Sequence, residues 1–179
     1  IAIFAPRLPS GMGAPVDPVT LLSANFRFDN PQHAAAAADL LAQEPDVLVV
    51  PEATKRLVRE LRPHFAHVEL FEQEFEKNNY GVAVFSNLPL RDVRELPLGN
   101  GVLRVEVGGP HRFVLFATHL SRPVLSPKHR THVSHAQNHQ QVERLHWYAA
   151  QEDLPVVIAG DLNLSDRTRG YRLLADDFT

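Results

Sequence analysis

The sequence predicts an α/β fold built as a layered sandwich. Short runs rich in Val, Leu and Ile, such as 47–50 and 156–159, are bounded by turn residues and are typical of buried strands. Glycine-containing turns at 99–101 and 108–110 join neighbouring runs at hairpin distance. Longer alanine-rich or amphipathic stretches between other runs predict helices. Buried strands, hairpins and outer helices together favour packed layers of sheet and helix.

A strand–helix–strand unit opens the predicted domain, which spans residues 19–179. Residues 19–25 predict a buried strand, and 47–50 predict the next one. Between them, Asn30 is expected to cap a helix over 32–43 whose first position is Pro31. Because the unit is about thirty residues long, its two strands are expected to be parallel or close neighbours.

The remaining pattern predicts a short helix, five strands in quick succession, and then a helix, a strand and a final helix. A polar loop over 121–133 separates the five strands from the later elements. The helices are expected over 54–62, 134–150 and 167–175, and the strands over about 66–71, 80–86, 90–96, 102–108, 112–119 and 156–159.

Composition excludes several classes of protein. The 179 residues are 44% hydrophobic and 22% charged, which is ordinary for one globular domain with a real core. The formal net charge of −3 disfavours a protein that coats nucleic acid by bulk electrostatics. Because cysteine is absent, disulfides, a cysteine nucleophile and thiolate metal sites are excluded.

Residues 1–18 are predicted to lie outside the domain. The first five residues are apolar, and prolines and glycines crowd the rest of the segment. We interpret it as a linker, or as the remnant of a membrane or signal segment. In the second case the domain is tethered at the extracytoplasmic face of a bacterial membrane; a cytoplasmic protein is the alternative.

Polar side chains stand where four of the predicted strands end. Asn25, Glu52, His119 and Asp161 each end or follow a strongly apolar run, and Asn163 lies two positions beyond Asp161. One such residue alone usually caps the next helix or faces water. Strand ends in α/β sheets, however, bring distant parts of a sequence to one crevice, so the set predicts a shared site.

These residue types suit phosphoester hydrolysis with a divalent ion. Mg²⁺, with Mn²⁺ as the alternative, takes oxygen ligands and keeps several waters. Glu52 then serves as the anionic ligand, and Asn25 as a carbonyl ligand or an orienting donor. Asp161 is expected to take or orient the proton of the attacking water. His119 and Asn163 are expected to donate to phosphate oxygens, with Asp161 and Asn163 on the same side if their segment is extended.

The sequence resembles the endonuclease/exonuclease/phosphatase superfamily in five segments. They are, in the family's order, Ser23-Ala24-Asn25, Pro51-Glu52, Gly81-Val82-Ala83-Val84-Phe85-Ser86, Thr118-His119-Leu120 and Gly160-Asp161-Leu162-Asn163. The resemblance implies a four-layer α/β sandwich, two mixed β-sheets flanked by helices, with divalent-metal phosphoesterase chemistry.

The resemblance also implies a role for each residue of the set. Asn25 and Glu52 lie at the metal. His119 and Asn163 contact the scissile phosphate. Asp161 positions or activates the nucleophilic water.

One family motif, a late Ser-Asp-His, has no counterpart here. The chain ends instead in Asp176-Asp177-Phe178-Thr179. We therefore expect the C-terminal part of the domain to be missing and this form to be at most weakly active.

A histidine-rich segment over 129–146 admits three interpretations. His132, His135 and His139 share one face of a predicted helix. The segment is a solvated loop and helix start, a lid that faces phosphate and becomes charged near about pH 6, or a separate zinc site.

The first functional hypothesis is an extracytoplasmic phosphatase or phosphodiesterase acting on a small or lipid phosphate or pyrophosphate. It follows from a likeness to membrane-tethered family members that include glycopeptide-resistance phosphatases. The alternatives are a DNA endonuclease or exonuclease, which the net charge disfavours, and a catalytically inactive binding module of the same fold.

Overall fold

The computed structural model describes residues 18–26, 29–71, 81–99, 101–122 and 132–178, with residues 132–135 in backbone only. Residues 1–17 of the predicted linker and most of the predicted polar loop lie outside these ranges. Within them, no helix combines the length and the apolar character needed to cross a membrane.

In the described ranges, eight strands form two four-stranded sheets. The first sheet has the order β1-β2-β4-β3 and the second the order β5-β6-β7-β8. Two neighbouring pairs, β1 with β2 and β7 with β8, are parallel, and the others are antiparallel. The strands are β1 (Leu21–Ser23), β2 (Val47–Pro51), β3 (His67–Leu70), β4 (Val82–Ser86), β5 (Leu90–Leu96), β6 (Val102–Val107), β7 (Phe113–His119) and β8 (Val156–Asp161).

Four helices of the described part of the chain cover the outer faces of the two sheets, and a 3₁₀ turn over Arg62–His64 follows the second of them. Helices α1 and α2 pack on the first sheet, and α3 and α4 on the second. Their bounds are α1 (His33–Leu41), α2 (Lys55–Leu61), α3 (His132–Ala149) and α4 (Arg169–Asp177). The order helix, sheet, sheet, helix is the predicted four-layer sandwich.

The alternation of side chains along β2 explains why its run is continuously apolar. Val47 and Val49 face the second sheet, whereas Leu48 and Val50 face the helices α1 and α2. All four are fully buried. A strand between two packed layers has no face left for polar residues.

Two local predictions are wrong. Asn30 does not cap α1, and Pro31 is not its first residue: the N-cap is Gln32 and the helix begins at His33. The reason is that Asn30 Oδ1 accepts from the Gln32 backbone N–H at 2.9 Å and closes a turn ahead of the helix. The run 156–159 is not fully buried: only Ala159 is, and the other three residues are half-buried. The reason is that β8 lies at the edge of the described sheet, with a strand partner only in β7.

Candidate active site

The parallel pairs of strands bring the predicted site residues to one edge of the sandwich. Asn25 lies two residues beyond β1 and Glu52 directly after β2. His119 and Asp161 are the last residues of β7 and β8 and are paired in register. Since parallel neighbours end on the same side, each sheet contributes two of these side chains to one place.

We name Asn25, Glu52, His119 and Asp161 the strand-end cluster. Asn25 Nδ2 donates to Glu52 Oε1 at 3.3 Å and to Asp161 Oδ2 at 3.0 Å. His119 Nε2 lies 3.4 Å from Glu52 Oε1. The contacts that join the four side chains therefore come from a neutral amide and an imidazole. One site thus holds two carboxylates from strands of different sheets.

The backbone of Glu52 is in an unusual conformation. Its φ is 55°, in the left-handed region, and its N–H donates to the Gly81 carbonyl at 3.1 Å. Such a φ costs a residue other than glycine on the order of 1–3 kcal/mol and concentrates at functional sites. The turn directs the chain out of β2 with the carboxylate at the crevice.

The backbone geometry at position 160 explains why a glycine precedes Asp161. Its φ is 127°, and a Cβ at this position would lie 2.1 Å from the Thr118 carbonyl oxygen. Only glycine allows β8 to approach β7 this closely. The close approach places Asp161 beside His119, where the Leu120 N–H donates to the Asp161 carbonyl at 2.8 Å.

The segment from Asp161 to Asn163 is not extended, so the condition under which their side chains would emerge on the same side is not met. Asn163 has φ 49°, because its backbone N–H turns back to donate to Asp161 Oδ1 at 2.9 Å. Its Nδ2 donates to the Leu120 carbonyl at 2.8 Å. Asn163 thus ties the loop after β8 to the loop after β7, and one of its two amide protons is used in doing so.

Two buried polar residues of α3 were not predicted. Asn138 and Gln141 are 3% and 9% exposed and bond the loops after β7 and β8. The sequence carries a signal for both: Asn138 lies four residues before Val142 and Gln141 four before Leu145, on the face that a helix buries.

The histidine-rich segment is described only in part. His139 Nδ1 lies 3.4 Å from Glu143 Oε1 within α3, and His146 Nε2 contacts Asp177 of α4. In the described part of the chain, the one group of three metal-capable side chains is Glu52, His119 and Asp161. The lid and zinc interpretations depend on residues 129–135, whose side chains lie outside the description.

The donor set fits a hard divalent cation. One ligand atom each from Glu52, His119 and Asp161 lies within 4.8 Å of the other two. Two carboxylates this close repel one another, and a divalent cation between them removes that repulsion. Because Mg²⁺ keeps several waters, one or two carboxylates suffice to hold it.

The sequence matches one known protein family over most of its length. The sequence model of the Endonuclease/Exonuclease/phosphatase family matches residues 22–178. A search of curated proteins gives no significant match.

Several solved structures share the fold. Sphingomyelinase C from Streptomyces griseocarneus matches with a TM-score of 0.65 and 17% identity over 88% of this chain and 68% of that one. An endonuclease/exonuclease/phosphatase from Beutenbergia cavernae gives 0.64 and 22% over 89% and 53%. A beta toxin variant from Staphylococcus aureus, solved with bound magnesium ions, gives 0.66 and 16% over 89% and 70%. This chain therefore spans about half to seven-tenths of those structures.

Proposed function

The chain belongs to the endonuclease/exonuclease/phosphatase family, a family of metal-dependent phosphoester hydrolases, and from this premise we propose that the strand-end cluster is its catalytic centre. The observation that carries the proposal is the convergence of Glu52, His119 and Asp161 within 4.8 Å at the strand ends of two sheets. Glu52 holds Mg²⁺, or Mn²⁺ in its place, and Asn25 orients the carboxylates by donating to both. The magnesium ions of the Staphylococcus aureus structure support this choice of metal.

The cation, when bound, polarises a phosphoryl oxygen and stabilises charge on the leaving oxygen. The side chains of the protein orient the attacking water and supply the hydrogen bonds. Asp161 is oriented by Asn25 at one oxygen and by the Asn163 backbone at the other. It accepts a proton from the attacking water, which lies opposite the leaving group.

Donors to the phosphate come from the loops after β7 and β8. His119 Nε2 faces the cluster and is within reach of Glu52, so it donates to a phosphate oxygen at the same place. Asn163 keeps one amide proton for a second oxygen. Donors fixed before the substrate arrives need no reorganisation when charge develops, and that is their catalytic value.

The proposed substrate is a small or lipid phosphoester or pyrophosphate at the extracytoplasmic side of a membrane. Two observations support it: the net charge of −3 disfavours a polyanionic nucleic acid, and one structural relative is named a sphingomyelinase. A nuclease is the alternative that the assay must address.

The test is a hydrolysis panel with saturating Mg²⁺ and with EDTA. The probes are bis(p-nitrophenyl) phosphate, p-nitrophenyl phosphate, farnesyl pyrophosphate, sphingomyelin–phosphatidylcholine vesicles and supercoiled plasmid DNA. We expect Mg²⁺-dependent turnover of a small or lipid probe that exceeds the cleavage of DNA. Faster cleavage of DNA would replace the substrate proposal by the nuclease alternative and leave the catalytic centre standing.

A matched pair of variants tests the centre itself. Glu52→Gln removes the cluster carboxylate after β2, whereas Glu44→Gln removes an exposed carboxylate before β2 that also has a left-handed φ, 48°. We expect Glu52→Gln to lower turnover on the order of 100- to 1,000-fold and Glu44→Gln to preserve it. Activity that is equal in the two variants, or that persists in EDTA, would contradict the proposal.

A further inference from the structure

Helix α3 places two buried amide side chains against the strand ends. Asn138 and Gln141 lie three residues apart, on one face of the helix, and are 3% and 9% exposed. Burial of an amide is costly unless its polar atoms are hydrogen-bonded. Their partners show what the two residues do.

Asn138 joins two loops that are distant in sequence. Its Nδ2 donates to the Ser121 carbonyl at 2.9 Å and to the Leu162 carbonyl at 3.1 Å. An amide NH₂ carries two protons, so each carbonyl receives one. Ser121 follows the end of β7 by two residues, and Leu162 directly follows the end of β8.

Gln141 holds the first of these loops at a second point. Its Oε1 accepts from the Ser121 backbone N–H at 3.0 Å, and its Nε2 donates to Ser121 Oγ at 3.0 Å. The two amides therefore fix the backbone and the side chain of the residue that follows Leu120. A single helix face thus sets the path of both loops.

We propose that Asn138 and Gln141 are positioning residues that hold His119 and Asp161 in catalytic register. The inference rests on the proposed function and extends it to residues that touch neither metal nor substrate. His119 lies two residues before Ser121, and Asp161 directly precedes Leu162. A shift of either loop displaces the group it carries, and a misplacement of about 1 Å costs on the order of 100-fold in rate.

Attachment of α3 to the sheet does not need these amides. Val142, Leu145 and Ala149 bury their side chains in the core between α3 and the second sheet. Since these apolar contacts hold the helix on the sheet, the hydrogen bonds of the Asn138 and Gln141 side chains are not needed for its attachment. Their effect is on the geometry of the two loops.

Position 138 requires a side chain that donates hydrogen bonds to both carbonyls. Asn138→Asp keeps the shape but replaces an NH₂ by a carboxylate that faces two carbonyl oxygens. Asn138→Leu keeps approximate volume and leaves both carbonyls without this donor. Gln141→Glu, in contrast, is expected to be tolerated, because a carboxylate still accepts from the Ser121 N–H and the Ser121 hydroxyl can donate to it.

The test compares Asn138→Asp, Asn138→Leu, Gln141→Leu and Gln141→Glu with Gln140→Leu. Gln140 is exposed on the same helix, so it controls for the substitution itself.

Steady-state kinetics use the probe that the wild-type protein turns over best, at saturating Mg²⁺. We expect kcat per folded molecule to fall about 10- to 100-fold in the first three variants. KM should stay within about threefold, because substrate contacts are retained. Gln141→Glu and Gln140→Leu should resemble the wild type.

A second measurement keeps the inference separate from the proposed function. NMR-detected hydrogen exchange reports on the amides of Leu120 and Ser121, which donate to Asp161 and Gln141. We expect their exchange to be about tenfold faster in Asn138→Leu than in Gln140→Leu, whether or not the protein is active. Unchanged exchange in Asn138→Leu would overturn the proposal. So would a loss of activity in the Asn138 variants that only tracks the folded fraction. Wild-type turnover that Mg²⁺, EDTA and Glu52→Gln all leave unchanged would instead contradict the proposed function, and the exchange result would still decide the inference.

Discussion

Two charged clusters in this protein are built in opposite ways. In the Arg104 cluster, made of Arg104, Asp92 and Glu152, a cation from β6 joins two carboxylates. Arg104 Nε and Nη2 donate to the two oxygens of Glu152 at 2.9 and 2.6 Å, and Nη1 donates to Asp92 Oδ2 at 2.8 Å. The hydrogen bonds that Arg104 donates to Glu152 outweigh the desolvation of Arg104 and raise the pKa of its guanidinium above the usual value. Positive charge comes from the chain itself.

The strand-end cluster also brings two carboxylates together, but through the neutral amide of Asn25 and the imidazole of His119. In the Arg104 cluster one guanidinium of the chain pairs with both carboxylates and ties β5, β6 and the turn after α3 together. The strand-end cluster instead gathers one ligand atom each from Glu52, His119 and Asp161 within 4.8 Å, an arrangement that could hold a metal ion. This difference supports the proposal that the Arg104 cluster serves stability and the strand-end cluster serves binding and catalysis.

The largest effect is expected for substitution of Glu52, which should lower activity strongly and stability little. Glu52→Gln should lower kcat on the order of 100- to 1,000-fold, because the anionic ligand at the transferring group is lost. The free energy of unfolding should change by less than about 1 kcal/mol, since a carboxylate close to another contributes little to folding. Denaturant unfolding and turnover of the same preparations check both numbers. A large loss of stability with activity preserved would reverse the assignment.

The converse experiment breaks the Arg104 cluster. Arg104→Met should lower the free energy of unfolding by about 3 kcal/mol, because Asp92 and the half-buried Glu152 lose their common partner. Arg94→Met is the matched control: Arg94 also pairs with Asp92 at 2.8 Å but is 63% exposed, so its loss should cost less than about 1 kcal/mol. Urea unfolding measures both. The account fails here if the two arginine variants are equally stable, or if Arg104→Met abolishes turnover in the folded fraction.

Substitution of Gly160 tests whether the strand-end cluster depends on the close approach of β8 to β7 rather than on charge. Gly160→Ala should cost about 2 kcal/mol and disturb Asp161, because the new methyl group meets the Thr118 backbone. Gly108→Ala is the control, since a Cβ there has its nearest neighbours at 3.4 Å, at Pro89. Thermal unfolding of the two variants gives the comparison, and equal stability would contradict it.

The smallest expected effect is the stabilisation of the folded protein by bound Mg²⁺. At a free Mg²⁺ concentration roughly ten times its Kd, binding should stabilise the wild-type protein by about 1.4 kcal/mol. Glu52→Gln should lose this increment and Arg104→Met should keep it. Thermal melts with and without EDTA measure it, and an equal increment in both variants would place the ion elsewhere.

Strand composition made the buried strands and the residues at their ends predictable from the sequence. Features that depend on close contacts between distant residues were not predictable from it. Val47 to Val50 and Phe113 to Ala117 are apolar enough to identify buried strands, so the residues that end them were identifiable too. Parallel pairing then accounts for the convergence of Asn25, Glu52, His119 and Asp161.

What the sequence could not predict lies in turns and in long-range partners. The left-handed turn at Asn163 depends on a bond to Asp161 Oδ1, and the start of α1 depends on the turn that Asn30 closes. The contacts of Asn138 join residues up to 24 positions apart. Hydrophobic periodicity carries no information on such bonds, because it reports burial and not partners.

Mn²⁺ titration followed by NMR tests the central claim most directly. The paramagnetic ion broadens signals near its site, so the backbone amides of Glu52, His119 and Asp161 and the side-chain amide of Asn25 should disappear first. Signals of Asp92 and Glu152 should stay sharp, and Glu52→Gln should abolish the effect at the same Mn²⁺ concentration. Broadening that centres on the Arg104 cluster, or that is unchanged in Glu52→Gln, would contradict the claim that the strand-end cluster is a divalent-metal site.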